Sequence, residues 1–355
     1  MGLDGSGFLA LVALLTAAAF VGTLVLWRSL RGWTAVHHLR RALLLLGCQA
    51  LAVLLAVVAI NDQYGFYTSW DDLLGTTSAG VARPYAPAGF AQHDGAGPLA
   101  FRPLPGGWQQ ATLAGPQSGL TGTVDVWLPP QYHSPQYAGH RFPVVELLHG
   151  VPGQPSDWIG NLDTTGTLTA AVSAGTSEPF ILVAPDITFG GQDTMCSDAP
   201  GAGPKIDTWL TLDVRTAIQS TLRASASRDG WGLLGYSTGG LCASKLALQH
   251  AGEYRAAVSI AGDAANTSTL LDQQQRDENS PLWLAANRPA PEVALLLAAS
   301  RADDTTAADA QALAAAVRPP TAVSLMIQPD GGHNPDVWNG MLPGAWSWLS
   351  RLLPG

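Results

Sequence analysis

Hydrophobic positions are arranged along this chain in two different ways. Gly7 to Trp27 is a run of 21 residues without one ionisable side chain, and Ala42 to Ile60 adds 19 more residues that are almost all apolar. Each run is long enough to cross a hydrocarbon core of about 30 Å as a helix. The 14 residues between them, Arg28 to Arg41, hold four arginines and no acid, while Asp4, Asp62, Asp71 and Asp72 lie outside the pair. Positive charge stays on the cytoplasmic side. The pattern therefore predicts two transmembrane helices, 7–27 and 42–60, with the loop inside and the rest of the chain extracytoplasmic. A cleaved signal peptide is a competing reading, opposed by the length of the first run and by the absence of Lys or Arg before it. Two buried helices of a soluble domain are another.

Further on, the apolar runs become short. Thr123–Leu128, Val144–Leu148, Phe180–Ala184, Trp231–Leu234, Ala256–Ala261, Val293–Ala299 and Val323–Ile327 read as strands. Helical spacing falls between them at 162–174, 207–226, 239–251 and 307–317, with a last helix from Gly344 to Leu352. Short apolar strands separated by helices predict an α/β fold, a mostly parallel sheet with helices on both faces. The pattern divides the chain into a membrane hairpin (1–60), a juxtamembrane segment and linker (61–110) and a globular domain (111–355). In the middle part, Tyr64, Phe66, Tyr67 and Trp70 suit either an interfacial collar or packing on the globular body. Gly80 to Gly107 is rich in Pro, Gly and Ala and reads as a linker.

Composition narrows the function. Charged residues make up 13% of the 355 residues, about half the usual share. Residues 1–60 carry +3, so the remainder carries −12 of the total −9. With no basic excess to neutralise phosphates, a nucleic-acid partner is not expected. Three cysteines exclude a disulfide-built miniprotein. No metal cluster, phosphate loop or dinucleotide fingerprint is present, and no cofactor is expected.

In a parallel sheet, function collects at the carboxyl ends of the strands. There stand His149-Gly150-Val151, Pro185-Asp186, Gly235-Tyr236-Ser237-Thr238-Gly239, Gly262-Asp263, Ser300 to Asp304 and Gly331-Gly332-His333. The glycine-flanked serine follows a strand and opens a helix, the context a nucleophile elbow needs. Ser237 is the expected nucleophile. His333, after the last strand, is the expected base, and His149 reads as structural. The acid that orients the imidazole should lie just beyond Val293–Ala299, where Asp303 and Asp304 both qualify. Acyl transfer needs two amides facing the oxyanion. Thr238 N–H, next to the nucleophile, and Val151 N–H, after the early strand, are the expected donors.

These motifs resemble the esterase family that includes esterase D, feruloyl-esterase domains and the secreted mycolyltransferases. The resemblance covers residues 111–355. It rests on Val126-Trp127-Leu128-Pro129-Pro130, Leu147-Leu148-His149-Gly150, the serine elbow, and Gly332-His333 followed by Trp338. It implies an α/β-hydrolase fold acting on carboxylic esters, with Asp303 in the place of the acid and Val151 and Thr238 as oxyanion donors. The mycolyltransferases use a glutamate as acid, for which no clear counterpart occurs here. The hairpin resembles actinobacterial members of the family with N-terminal anchors.

Cys48 lies in the second apolar run. Cys196, in a loop after a strand tip, and Cys242, five residues past Ser237, are expected to form a disulfide, which persists outside the cytoplasm; two separate thiols are the alternative. Residues 262–292, with Leu270, Leu271, Trp283 and Leu284, read either as a cap forming an acyl pocket or as a helical decoration. The sequence thus predicts a membrane-anchored serine esterase or acyltransferase, with ester or acyl-lipid substrates such as mycolates or aminoacylated phosphatidylglycerol. The alternative is a non-catalytic hydrolase-fold binding module at the membrane.

Overall fold

The computed structural model describes residues 6–29, 35–64, 70–73, 99–189 and 192–354. Asp4, Arg31, Phe66, Tyr67 and most of the 80–107 linker lie outside the described residues. The chain forms two units, residues 1–78 with 330–334, and residues 79–329 with 335–355.

In the first unit, helices Ser6–Ser29 and Ala35–Tyr64 pack on each other. Within them Gly7–Trp27 and Ala35–Asn61 are long and apolar enough to cross a membrane. Val12 and Val58 are buried, whereas Leu14, Phe20, Leu24, Leu43 and Val53 point outward. Two hydroxyls in the pair find partners within it. Thr16 Oγ1 donates to Val12 O at 2.8 Å, and Thr23 Oγ1 lies 3.2 Å from Cys48 Sγ. Lipid offers no partner for a stray hydroxyl, so such pairings are what a buried or lipid-facing helix requires.

The second unit is built on a nine-stranded sheet. Its strands are β1 (Phe101–Pro103), β2 (Trp108–Ala114), β3 (Thr121–Trp127), β4 (Val144–Leu148), β5 (Ile181–Pro185), β6 (Trp231–Tyr236), β7 (Ala256–Ile260), β8 (Ala294–Ser300) and β9 (Ala322–Gln328). Their order is β1-β2-β3-β5-β4-β6-β7-β8-β9. β1, β2, β3 and β5 pair antiparallel, and β5 through β9 pair parallel.

Successive residues of the inner strands feed opposite cores, as the two-residue period of a strand requires. Ile181, Val183, Leu233, Leu295 and Leu297 face one core with Trp209, Cys242 and Leu246. Leu182, Ala184, Leu234, Leu296 and Ala298 face the other with Leu168, Met341, Leu342 and Trp346. Each of these leucines and valines contributes roughly 1.5–3 kcal/mol by leaving water. Helices therefore cover both faces: Arg215–Thr221, Thr238–Gln249 and Asp304–Ala316 on one side, Thr164–Ser173 and Pro335–Ser350 on the other.

Two boundaries differ from the sequence reading. The sheet begins at Phe101, ten residues before the expected start at 111, because Ala111 and Leu113 enter one core and Trp108 the other, which brings a Gly/Pro-rich stretch into register. The terminal helix starts at Pro335 rather than Gly344. Pro343 lies inside it, although a proline removes one backbone bond there. Burial of Val337, Trp338, Met341 and Leu342 on the sheet outweighs that loss.

Candidate active site

Ser237 sits where β6 turns into helix Thr238–Gln249. Its backbone is left-handed, φ 54° and ψ −126°, a conformation a non-glycine residue adopts at a cost of about 1–3 kcal/mol and only when its surroundings impose it. They do so here by close packing. A Cβ at Gly235 would lie 2.0 Å from Gly239 O, and a Cβ at Gly239 would lie 2.0 Å from Leu148 O. No other residue type fits either position, so the two glycines let the helix start against the tip of β4. Ser237 N–H is held by Ile260 O at 2.9 Å across the β7 tip. Thr238 is the first helical residue, and its N–H belongs to the first turn, where no intrahelical acceptor exists.

The loop after β4 reaches the same turn. A Cβ on Gly150 would be 3.1 Å from Ser237 Cβ. Val151 follows. His149 is fully buried. Its Nδ1–H donates to Gly150 O at 2.7 Å and its Nε2 accepts from Ile187 N–H at 3.2 Å. That pair of bonds assigns the neutral tautomer protonated at Nδ1 and makes His149 a brace for this loop.

Asp303 stands three residues beyond β8, at the N-cap position of helix Asp304–Ala316. It is half-buried, and its side chain makes no cap bond to that helix. Asp304 is exposed on the first helical turn, with Thr305 Oγ1 donating to it at 3.5 Å. β6 and β8 are separated in the sheet by β7 alone, so their tips stand about 10 Å apart on one edge. His333 is half-buried in the 330–334 segment, which belongs to the first unit, five residues after the end of β9 and two before the terminal helix. Among the described residues no group of three or more His, Cys, Asp or Glu is placed to hold a metal ion.

Two excursions from the carboxyl edge are fastened to the elbow helix. A disulfide joins Cys196, after β5, to Cys242 on that helix, with Cα atoms 5.6 Å apart. Lys245, one turn further on and fully buried, donates to Cys196 O and, at 3.1 Å, to Asp207 Oδ2. Asp207 Oδ1 is also 2.7 Å from His250 Nε2. Burial works against ionisation of Asp207, but the charges of Lys245 and His250 outweigh it and bring its pKa down to about 2. The 262–292 excursion holds helices Gln273–Glu278 and Pro281–Asn287. It is tied to the first excursion through Ser268 Oγ to Asp193 O at 2.7 Å and Asn266 Nδ2 to Ser197 Oγ at 3.2 Å. Lys245 and Asp207 were not singled out from the sequence. The signal was present, because Lys245 is one of two lysines in the chain and lies amid the apolar positions of a helix. Replacing Lys245 by methionine leaves Asp207 without its buried partner. The substitution is expected to cost about 3 kcal/mol, read as a lower urea midpoint at pH 7. The variant should also lose the part of the acid-induced destabilisation that accompanies protonation of Asp207 between about pH 4 and pH 2.

The chain is similar, at 27% identity over 273 residues, to an uncharacterized protein of Corynebacterium glutamicum, covering 68% of this chain and 61% of that one. It thus spans about three fifths of the length of that curated relative. In fold it is similar to a ferulic acid esterase, with a TM-score of 0.59 and 20% identity over 69% of this chain and 98% of that one. It is likewise similar to an S-formylglutathione hydrolase of Agrobacterium tumefaciens, with a TM-score of 0.59 and 15% identity over 72% and 99%. The likeness is one of fold, the α/β-hydrolase architecture of a mostly parallel sheet with helices on both faces. The family model described as "Putative esterase" matches residues 119–343, and the chain belongs to that esterase family.

Proposed function

We propose that this chain is a membrane-anchored, extracytoplasmic serine esterase or acyltransferase that works through an acyl-enzyme on Ser237. The observation that carries this reading is the strained, glycine-enclosed turn at Ser237 between β6 and its helix. Membership of an esterase family supports it. In the proposed reaction His333 takes the Ser237 proton as the hydroxyl oxygen attacks an ester carbonyl. Asp303 holds the imidazole in the required tautomer and stabilises its cationic form. The N–H groups of Thr238 and Val151 receive the developing oxyanion. His333 then protonates the leaving alcohol, and water or a second alcohol releases the acyl group by the reverse sequence.

Half-burial and the missing cap bond favour Asp303 over Asp304 as the acid. The two long apolar helices support anchoring. The arginines between them support a cytoplasmic loop and an external catalytic unit, and a disulfide suits that side of the membrane. An enzyme held there meets acyl lipids of the envelope first, mycolates and aminoacylated phosphatidylglycerol among them.

A fluorophosphonate probe tests the reading. The full chain in detergent should be labelled on Ser237, as located by peptide mass analysis, and Ser237→Ala should not be labelled. A folded wild-type protein that takes no probe would instead favour a non-catalytic binding module. Adding alcohol acceptors to labelled-competent protein with an activated ester then separates transfer from hydrolysis by the product formed.

A further inference from the structure

The residue between the first glycine and the serine of the elbow, Tyr236, touches three segments at once. Its side chain is buried. Its hydroxyl points at Asp157 Oδ2, 3.5 Å away. The same Asp157 oxygen accepts from Gln154 N–H at 2.9 Å. A Cβ on Gly150 would stand 2.9 Å from Tyr236 Cε2, so that the loop lies directly on the ring. The ring meets Trp158 edge-on, with centroids 5.0 Å apart. On another side it stacks on Trp338 of helix Pro335–Ser350, with centroids 4.6 Å apart and planes at 23°. Trp338 is five residues past His333.

Two groups of the loop His149–Gln154 are tied down: Gly150 O by His149, and Gln154 N–H by Asp157. Pro152 has no N–H to offer. Burial first, and the Asp157 carboxylate second, push the Tyr236 pKa up, so the hydroxyl stays a donor throughout the neutral range.

We propose that Tyr236 is a positioning residue that couples the nucleophile to the loop bearing Val151, its ring supporting Gly150 and its hydroxyl holding the loop in place through Asp157. Its ring braces the helix that follows the histidine. This rests on the esterase reading above. An amide displaced from the oxyanion position weakens transition-state binding far more than ground-state binding, which gives the inference a kinetic signature.

Tyr236→Phe keeps the ring and both tryptophan contacts and removes the hydroxyl alone. For the full chain in detergent, with rates normalised to fluorophosphonate-titrated sites, kcat on a p-nitrophenyl ester should fall about tenfold to a hundredfold. KM should stay within about twofold, and the apparent pKa of kcat/KM should be unchanged. Asp157→Ala should produce a similar loss. The double variant should be little worse than either single one, because both remove the same brace. A Tyr236→Phe kcat within twofold of wild type, or losses that multiply in the double variant, would overturn the inference while leaving the esterase reading intact. Wild-type protein that takes no probe at Ser237 overturns both.

Discussion

Asparagine in place of Asp303 is expected to lower kcat about ten-thousandfold, the size of effect seen when a triad acid loses its charge but not its shape. An amide can turn its N–H toward the imidazole. It would then stabilise the tautomer whose other nitrogen carries a proton and cannot accept one from Ser237. Asp304→Asn should stay within about twofold, because that carboxylate is exposed on the first helical turn and its contact with Thr305 is local. Steady-state hydrolysis of an activated ester, normalised to protein that retains its thermal midpoint, decides between them. A large loss in Asp304→Asn instead would transfer the role to Asp304. Losses below tenfold in both would sink the three-residue account and leave a serine–histidine pair.

The second large effect concerns stability, and its origin lies inside the sheet. Glu146 is fully buried in β4, facing the core that contains Trp231 and Tyr254. Tyr254 donates to its Oε2 at 2.9 Å, while Oε1 has no hydrogen-bond partner. Burial dominates the hydrogen bond from Tyr254 and the charge of Arg215, and pushes the Glu146 pKa up to about 8. In the unfolded chain it ionises near pH 4.5. Below that value both states hold the proton and the folded state bears no penalty. As pH rises from about 4.5 to about 8 the unfolded chain loses the proton more readily, and stability falls, on the order of 4 kcal/mol in all. Glu146→Gln mimics the protonated acid and removes this term. Urea titrations at pH 5 and pH 9 should show the two proteins drawing apart toward alkaline pH, with the variant the more stable at pH 9. A constant difference between them across the range would mean that Glu146 titrates normally. Arg215, stacked on Trp231 at 4.3 Å and paired with Glu253 at 2.8 Å, lies beside this site without neutralising it.

Both predictions bear on how legible the molecule was before its structure. Glu146 interrupts Val-Val-Glu-Leu-Leu, so a polar residue in a buried strand was visible in the sequence, although its partner Tyr254, 108 residues away, was not. The excursions after β5 and β7 could be seen as insertions. That Asn266 and Ser268 fasten one to the other, and that Lys245 pins the first to the elbow helix, depends on contacts between residues 49 to 75 positions apart. His250 ends the elbow helix, and its partner Asp207 stands 43 positions earlier in the chain.

Local rules acting over a few residues determined the element types: period two for strands, 3.6 for helices, and uninterrupted apolar length for the two long N-terminal helices. Each of the seven predicted strands has a counterpart within a few residues, because alternating burial leaves its mark on neighbouring positions. The glycines around Ser237 were legible for the same reason, since a tight turn constrains residues adjacent in sequence. The tertiary structure alone decided that Tyr236 stands between Trp158 and Trp338, that β1 and β2 extend the sheet, and that a proline is retained inside the last helix. Those outcomes come from sums of packing energy over distant side chains, and such sums leave no periodic trace in the order of residues.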